Sequence, residues 1–281
     1  MVMSGLPTQV AQGGDAELAD ALGRIALRAA AVVMRAYDAH VPVRLKSDAS
    51  PVCEADESSE AIILDSLAHL FPAIPVVAEE AVSRGIAPEI GREFFLVDPL
   101  DGTREFAARN GEFTVNIALI RDGAPVCGAV CAPVAQRLWL ATPDRATFCI
   151  AKPGEDLPRA SKRSHVRGRS AHPNDLAAFV SRSNLDPTTE AWLAKRSVRH
   201  RTPVGSSIKF CLLASGEADL YPRFGPTMEW DTAAGDAVLR AAGGFVLDET
   251  GQLMRYGKVE QSFRNPGFVA WADQEAARQL G

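Results

Sequence analysis

Histidine and cysteine are scarce in this chain, at five each among 281 residues. The cysteines (Cys53, Cys127, Cys131, Cys149 and Cys211) are odd in number and include no tight pair, so a disulfide framework is excluded and buried, reduced thiols are expected. Cys127 and Cys131 lie in an apolar, strand-like run without a partner His or Cys, which favours core packing over soft-metal ligation. Positive charge is not in excess: the net charge is −5, which argues against a protein that coats nucleic acid. No apolar run is long enough to cross a bilayer. Residues 1–14 lack the cationic start and continuous apolar stretch of a signal peptide and are expected to be a disordered lead-in. Internal repeats and low-complexity tracts are also missing. The absence of GxxxxGK[ST] argues against a P-loop kinase.

One motif dominates what is present. Asp98-Pro99-Leu100-Asp101-Gly102-Thr103 follows the apolar run Phe94-Phe95-Leu96-Val97. It places two carboxylates three residues apart at a strand end, in a turn stiffened by Pro99 and bent at Gly102, with a hydroxyl directly after. Hard oxygen donors in this pattern suit Mg²⁺. A surface turn is the competing reading, because Asp, Pro and Gly are common turn residues.

Helical spacing predicts a helix over 15–39 with Asp15 as N-cap, and another over 56–70. Strand-like segments are expected at 41–45, 76–78 and 94–97, with a polar loop at 46–51. Further strands at 114–121, 128–132, 138–141 and 147–150 read as an antiparallel meander. The last third alternates: strand 176–181, helix 187–196, helix 208–215, strand 218–221, helix 232–242, strand 245–248. Residues 153–174 are rich in Pro, Gly, Ser and Arg and form the candidate linker between an α+β domain at 15–152 and an α/β domain at 175–281.

Other acidic sites join the motif. Glu79-Glu80 follows a strand, where one of the two can point into a cleft. Asp231 stands near a helix start, where an N-cap is the bland reading; one oxygen can cap while the other binds metal. Asp56 closes the set. Two such carboxylates about 4 Å apart repel by about 4 kcal/mol at an effective dielectric near 20, which two or three Mg²⁺ ions would offset. In a two-metal site one ion activates water and the other stabilises the leaving oxygen. None of His40, His69, His165, His172 and His200 lies near these motifs, which argues against a phosphohistidine route. The single Cys-x5-Arg spacing, Cys131 to Arg137, has no Gly inside and loses a donor at Pro133, so it makes a poor phosphate cradle.

Glu79-Glu80, DPLDGT at 98–103 and WDTAAG at 230–235, followed by Ala242-Gly243-Gly244, resemble the signatures of the inositol monophosphatase superfamily in order and spacing. Residues 98–120, 205–225 and 262–268 are similar to its CysQ-type subgroup, the 3′(2′),5′-bisphosphate nucleotidases. The resemblance implies a layered αβαβα sandwich of the inositol monophosphatase/fructose-1,6-bisphosphatase type. It implies hydrolysis of 3′-phosphoadenosine 5′-phosphate (PAP) to AMP and phosphate, with PAPS as a further substrate, in sulfur assimilation. It also implies inhibition by Li⁺ and Ca²⁺, a monomer or homodimer, no nucleic-acid partner and no integral membrane segment. The implied location is cytoplasmic, with peripheral inner-membrane association in some relatives.

Carried over by position, the resemblance makes Glu80, Asp98, Asp101, Asp231 and the Leu100 carbonyl the metal ligands. Thr103, Asp56 and Glu80 become the catalytic group. Gly102, Thr103, Asn184, Ser206, Lys209, Arg223 and Asp231 become substrate contacts. For Lys209 alone, an exposed helix lysine is the bland reading; as a cation near phosphate it forms charge-assisted bonds. Two positions depart from the pattern. Cys53 replaces a common Thr, which weakens a hydrogen bond in the water network. Asn184 replaces a His that stacks on adenine in relatives. The alternatives are another phosphomonoesterase of the superfamily, acting on inositol phosphate, histidinol phosphate or a sugar bisphosphate, and a non-catalytic binding protein on the same fold.

Overall fold

The computed structural model describes residues 14–45, 51–172 and 174–280. The expected lead-in, Gly14 excepted, and positions 46–50 of the polar loop lie outside them. In chain order the first half contains α1 (Asp15–Asp38), β1 (Arg44–Leu45), β2 (Pro51–Val52), α2 (Glu54–Leu70), β3 (Val76–Ala78), α3 (Glu79–Ser83), β4 (Glu93–Asp101), α4 (Thr103–Ala107), β5 (Thr114–Arg121), β6 (Ala124–Ala132), β7 (Arg137–Thr142), β8 (Arg145–Ile150) and β9 (Ser164–His165). The second half contains β10 (Ala177–Ser181), α5 (Pro187–Lys195), β11 (His200–Val204), α6 (Ile208–Ala214), β12 (Leu220–Arg223), α7 (Glu229–Ala241), β13 (Phe245–Asp248), β14 (Phe268–Trp271) and α8 (Gln274–Leu280).

Strands β3 to β9 form one seven-stranded sheet in sequence order. Only the β3–β4 pair is parallel; the rest is the expected meander. The sheet is buried on both faces, so its strands read as nearly continuous apolar runs. Along β4, Phe95 and Val97 pack with α1 and α2, while Phe94 and Leu96 face α6 and α7. The second sheet, in the order β11-β10-β12-β14-β13, closes over the other side of α6 and α7. Its outer face is covered by Leu193 of α5 and by Ala276 and Ala277 of α8. The layers are therefore αβαβα. Gly235 lets α7 lie against α6: a Cβ there would stand 2.7 Å from the Phe210 ring.

Several boundaries differ from the sequence reading. Gly14, not Asp15, is the N-cap of α1; Asp15 sits in the first turn, where an acid favours the positive helix end. The strand expected at 41–45 shrinks to two residues. Helices α2 and α7 begin at Glu54 and Glu229, earlier than expected. Residues 159–169 supply a two-residue edge strand, β9, with Arg163 bound to Asp20 at 2.5 Å and Arg169 to Asp219 at 2.7 Å.

Candidate active site

β4 ends in the DPLDGT turn, where Gly102 has φ +94° and α4 starts at the next residue. The turn forms the floor of a cavity of about 560 Å³. Asp98, Leu100, Asp101, Gly102, Thr103, Asn184, Ser206, Lys209, Arg223 and Asp231 all line it. Sequence positions more than a hundred residues apart thus meet at one place.

The four site aspartates share a device: each commits one carboxylate oxygen to a backbone N–H. Asp56 Oδ2 accepts from Cys53 N at 2.9 Å, and Asp98 Oδ1 accepts from Leu100 N at 3.0 Å. Asp231 Oδ2 accepts from Met228 N at 2.9 Å. Asp101 Oδ2 accepts from Ser207 N. Asp56 and Asp231 are the third residues of α2 and α7, so each holds its helix start as the acidic member of a capping box. Asp231 is therefore not the N-cap itself.

The structure separates the two glutamates. Glu79, the first residue of α3, lines the cavity. Glu80 points about 100° away around the helix. It is buried and is not part of the cavity wall. Its backbone N–H donates to Glu60 Oε2 at 2.7 Å, and its charge acts on Asp56. The resemblance implies a ligand at Glu80; in the structure Glu79, and not Glu80, lines the cavity.

Asp56 also lies outside the cavity wall, behind Thr103, whose Oγ1 donates to Asp56 Oδ1 at 3.3 Å. Cys53 Sγ donates to Asp56 Oδ2 at 3.0 Å, so the thiol occupies the hydroxyl's place as a weaker donor. Asn184 Oδ1 accepts from Arg104 Nη1 at 2.5 Å on the cavity rim.

Burial and mutual repulsion shape the charges. Asp98 is held well above the usual carboxylate range by burial and then by Glu79, Asp101 and Asp231. Asp231 rises through burial, Asp101 and Glu79. Burial pushes Asp101 and Asp56 each up to about 6. Burial lowers Lys209, another lining residue, to about 8, against the opposing charge of Asp101. Its Nζ donates to Val204 O at 3.0 Å and to Ser206 O. Arg223 Nη2 donates to Pro226 O at 3.0 Å.

Among the described residues, no three His, Cys, Asp or Glu side chains form a ready-made cage for a metal ion. Mg²⁺ does not demand one: it commonly takes one or two carboxylates and fills its octahedron with water and phosphate oxygens. The all-oxygen set of Glu79, Asp98, Asp101 and Asp231, whose mutual repulsion Lys209 and Arg223 offset only in part, fits such an ion.

The model of the inositol monophosphatase family matches residues 15–280. The chain belongs to the inositol monophosphatase family. Within that family, the chain is 42% identical over 247 residues to the 3′(2′),5′-bisphosphate nucleotidase CysQ of Salmonella typhimurium, covering 87% of this chain and 96% of the relative. It is 41% identical over 251 residues to CysQ of Escherichia coli K12, covering 89% and 97%. The crystal structure of CysQ from Bacteroides thetaiotaomicron superimposes with a TM-score of 0.75 at 37% identity, covering 92% of this chain and 97% of that one. An inositol monophosphatase from Zymomonas mobilis shares the fold, with a TM-score of 0.75 at 24% identity.

Sequence reasoning missed Arg104, Glu105 and Ser207 as parts of the cavity wall. Arg104 and Glu105 follow DGT directly, and that adjacency was the available signal. Ser207 carried one too, in the Gly205-Ser206-Ser207 run.

Proposed function

We propose that this chain is a Mg²⁺-dependent 3′(2′),5′-bisphosphate nucleotidase that hydrolyses PAP to AMP and phosphate. The observation that carries the reading is the polarity of the cavity. Four carboxylates (Glu79, Asp98, Asp101, Asp231) and two cations, Lys209 and Arg223, line one cavity of about 560 Å³. A bisphosphate fits that polarity: one phosphate at the metal-holding wall, the other at the cations. The similarity to the CysQ nucleotidases supports the same substrate class.

Glu79, Asp98, Asp101 and Asp231, with the Leu100 carbonyl, would hold two or three Mg²⁺ ions. Bound there, Mg²⁺ supplies Lewis acidity that lowers the pKa of water and offsets charge on the phosphoryl group. Thr103 orients the attacking water, and its hydroxyl can pass the water's proton to Asp56 at 3.3 Å. Asp56, at about 6, takes up a proton near neutral pH more readily than an ordinary carboxylate. The ribose oxygen departs with the electron pair of the P–O bond and takes up a proton from solvent water. Ser206, Lys209 and Arg223 bind the phosphate that stays. Lys209 is already enclosed by carbonyls, so moving its ammonium to a phosphate replaces neutral acceptors with a charged one. Arg104, held by Asn184, lies at the rim, where relatives with His stack on adenine.

The test is phosphate release by purified protein with Mg²⁺. PAP should be turned over at least about tenfold faster, by kcat/KM, than inositol 1-phosphate. Equal or faster release from inositol 1-phosphate would replace this reading with that of an inositol monophosphatase.

A further inference from the structure

Glu112 lies just before β5, in the half of the molecule that supplies most of the carboxylates. Its carboxylate nevertheless binds the other half at two places. Oε2 accepts from the Gly205 backbone N–H at 2.7 Å. Arg182, just after β10, donates to it through Nε at 2.6 Å and Nη2 at 2.7 Å. Arg182 Nη2 also reaches Pro203 O at 2.7 Å, which ties the end of β11 into the same knot.

Gly205 begins the turn that carries Ser206 and leads into Lys209. Two residues on, the Ser207 N–H donates to Asp101. The turn is therefore gripped at both ends by carboxylates of the opposite half, Glu112 at Gly205 and Asp101 at Ser207. Between the grips Ser206 has φ +45°, a left-handed conformation that a non-glycine residue holds only when its surroundings impose it. The approach is close: a Cβ on Gly205 would stand 2.5 Å from Glu105 Cγ.

We propose that Glu112 is a positioning residue for substrate. It sets the register between the carboxylate wall and the Ser206–Lys209 wall, and so the spacing at which a ligand with two phosphates spans the cavity. The pair is two-pronged and half-shielded, 42% exposed at Arg182 and 27% at Glu112, so its loss costs some stability. Its effect on register is read separately, in substrate binding.

The proposal rests on the bisphosphate reading, and the experiment keeps the two apart. Steady-state kinetics on PAP, with inorganic phosphate as competitive inhibitor, are compared for the wild type, Glu112→Ala, Glu112→Gln and Arg182→Met. Glu112→Ala should raise KM for PAP about tenfold, with kcat and the inhibition constant of inorganic phosphate within about twofold. Glu112→Gln keeps an acceptor for Gly205 and should fall between Ala and wild type. Arg182→Met reports the same register if Glu112→Ala fails to fold. A wild type inert towards PAP would overturn the functional reading beneath the proposal. An active wild type whose variants lose kcat and phosphate affinity together with KM, or change in nothing, would overturn the proposal alone.

Discussion

The four aspartates Asp56, Asp98, Asp101 and Asp231 each use one oxygen to receive a backbone N–H. Such a carboxylate cannot rotate freely, and its second oxygen is pre-aimed. Asp98→Asn keeps an acceptor for Leu100 N–H and removes the charge. Turnover of PAP should fall by about a hundred- to a thousandfold or more with the fold retained. Undiminished activity in the Asn variant would remove Asp98 from the metal-holding wall. Glu79 and Glu80 give a sharper contrast, because they are neighbours in sequence and diverge in space. Glu79→Gln should lower kcat about a hundredfold and weaken dependence on Mg²⁺, since Glu79 lines the cavity beside Asp98 and Asp231. Glu80→Gln should stay within about tenfold, because Glu80 is absent from the cavity wall and its charge acts on Asp56. The reverse ranking in a parallel Mg²⁺ titration would return the ligand role to Glu80.

Among the elements, α5 shows how a helix terminus serves the cavity. Asp186 caps it, accepting from Thr189 N at 3.0 Å and Thr189 Oγ1 at 2.5 Å. The same side chain receives Gly225 N at 2.9 Å, two residues beyond Arg223. Burial raises the Asp186 pKa, but the Thr189 and Gly225 donors outweigh it and leave the group below its usual value. A carboxyl depressed in the folded state stabilises it above the unfolded value, about 4, and loses that contribution as pH falls through the folded value. Asp186→Ala should therefore cost about 1 kcal/mol at pH 7 and progressively less below about pH 4, read by urea denaturation. A difference from wild type that widens in acid would contradict this.

Elements differ in how plainly they are written in the chain. β5 and β13 are mostly apolar runs with turn residues close by, and their reading agrees with the structure at both ends. β11 reads His-Arg-Thr-Pro-Val; as an edge strand it has one neighbour and no apolar alternation, so nothing in its composition announces it. α4 is a single turn whose residues pass for loop. The cavity-lining Asp98 and Asp101 were legible because DPLDGT is at once a turn motif and an acidic one. Glu79 was not separable from Glu80, because the choice depends on a rotation of about 100° in a five-residue helix. Glu112 carried no signal at all, since its partners Arg182 and Gly205 lie 70 and 93 residues away.

Across the whole molecule, the sandwich gathers Glu79, Asp98 and Asp101 from the first half and Asp231, Lys209 and Arg223 from the second around one cavity. Buried like charges oppose folding: Asp98 and Asp231 each feel Glu79 and Asp101 in addition to burial. A cation that binds only the folded state offsets this, and at a hundred times its dissociation constant adds about 2.7 kcal/mol. For a chain of this size that is a Tm rise of about 5 °C or more, reversed by EDTA. Asp98→Asn relieves part of the repulsion. Its metal-free form should therefore melt at or above the metal-free wild type, while its Mg²⁺-induced rise should be smaller. Thermal denaturation of both proteins with and without Mg²⁺ reads all four states. A wild type whose Tm ignores Mg²⁺, together with an Asn variant that melts lower, would mean that the carboxylate wall is a packing feature and not the seat of a metal.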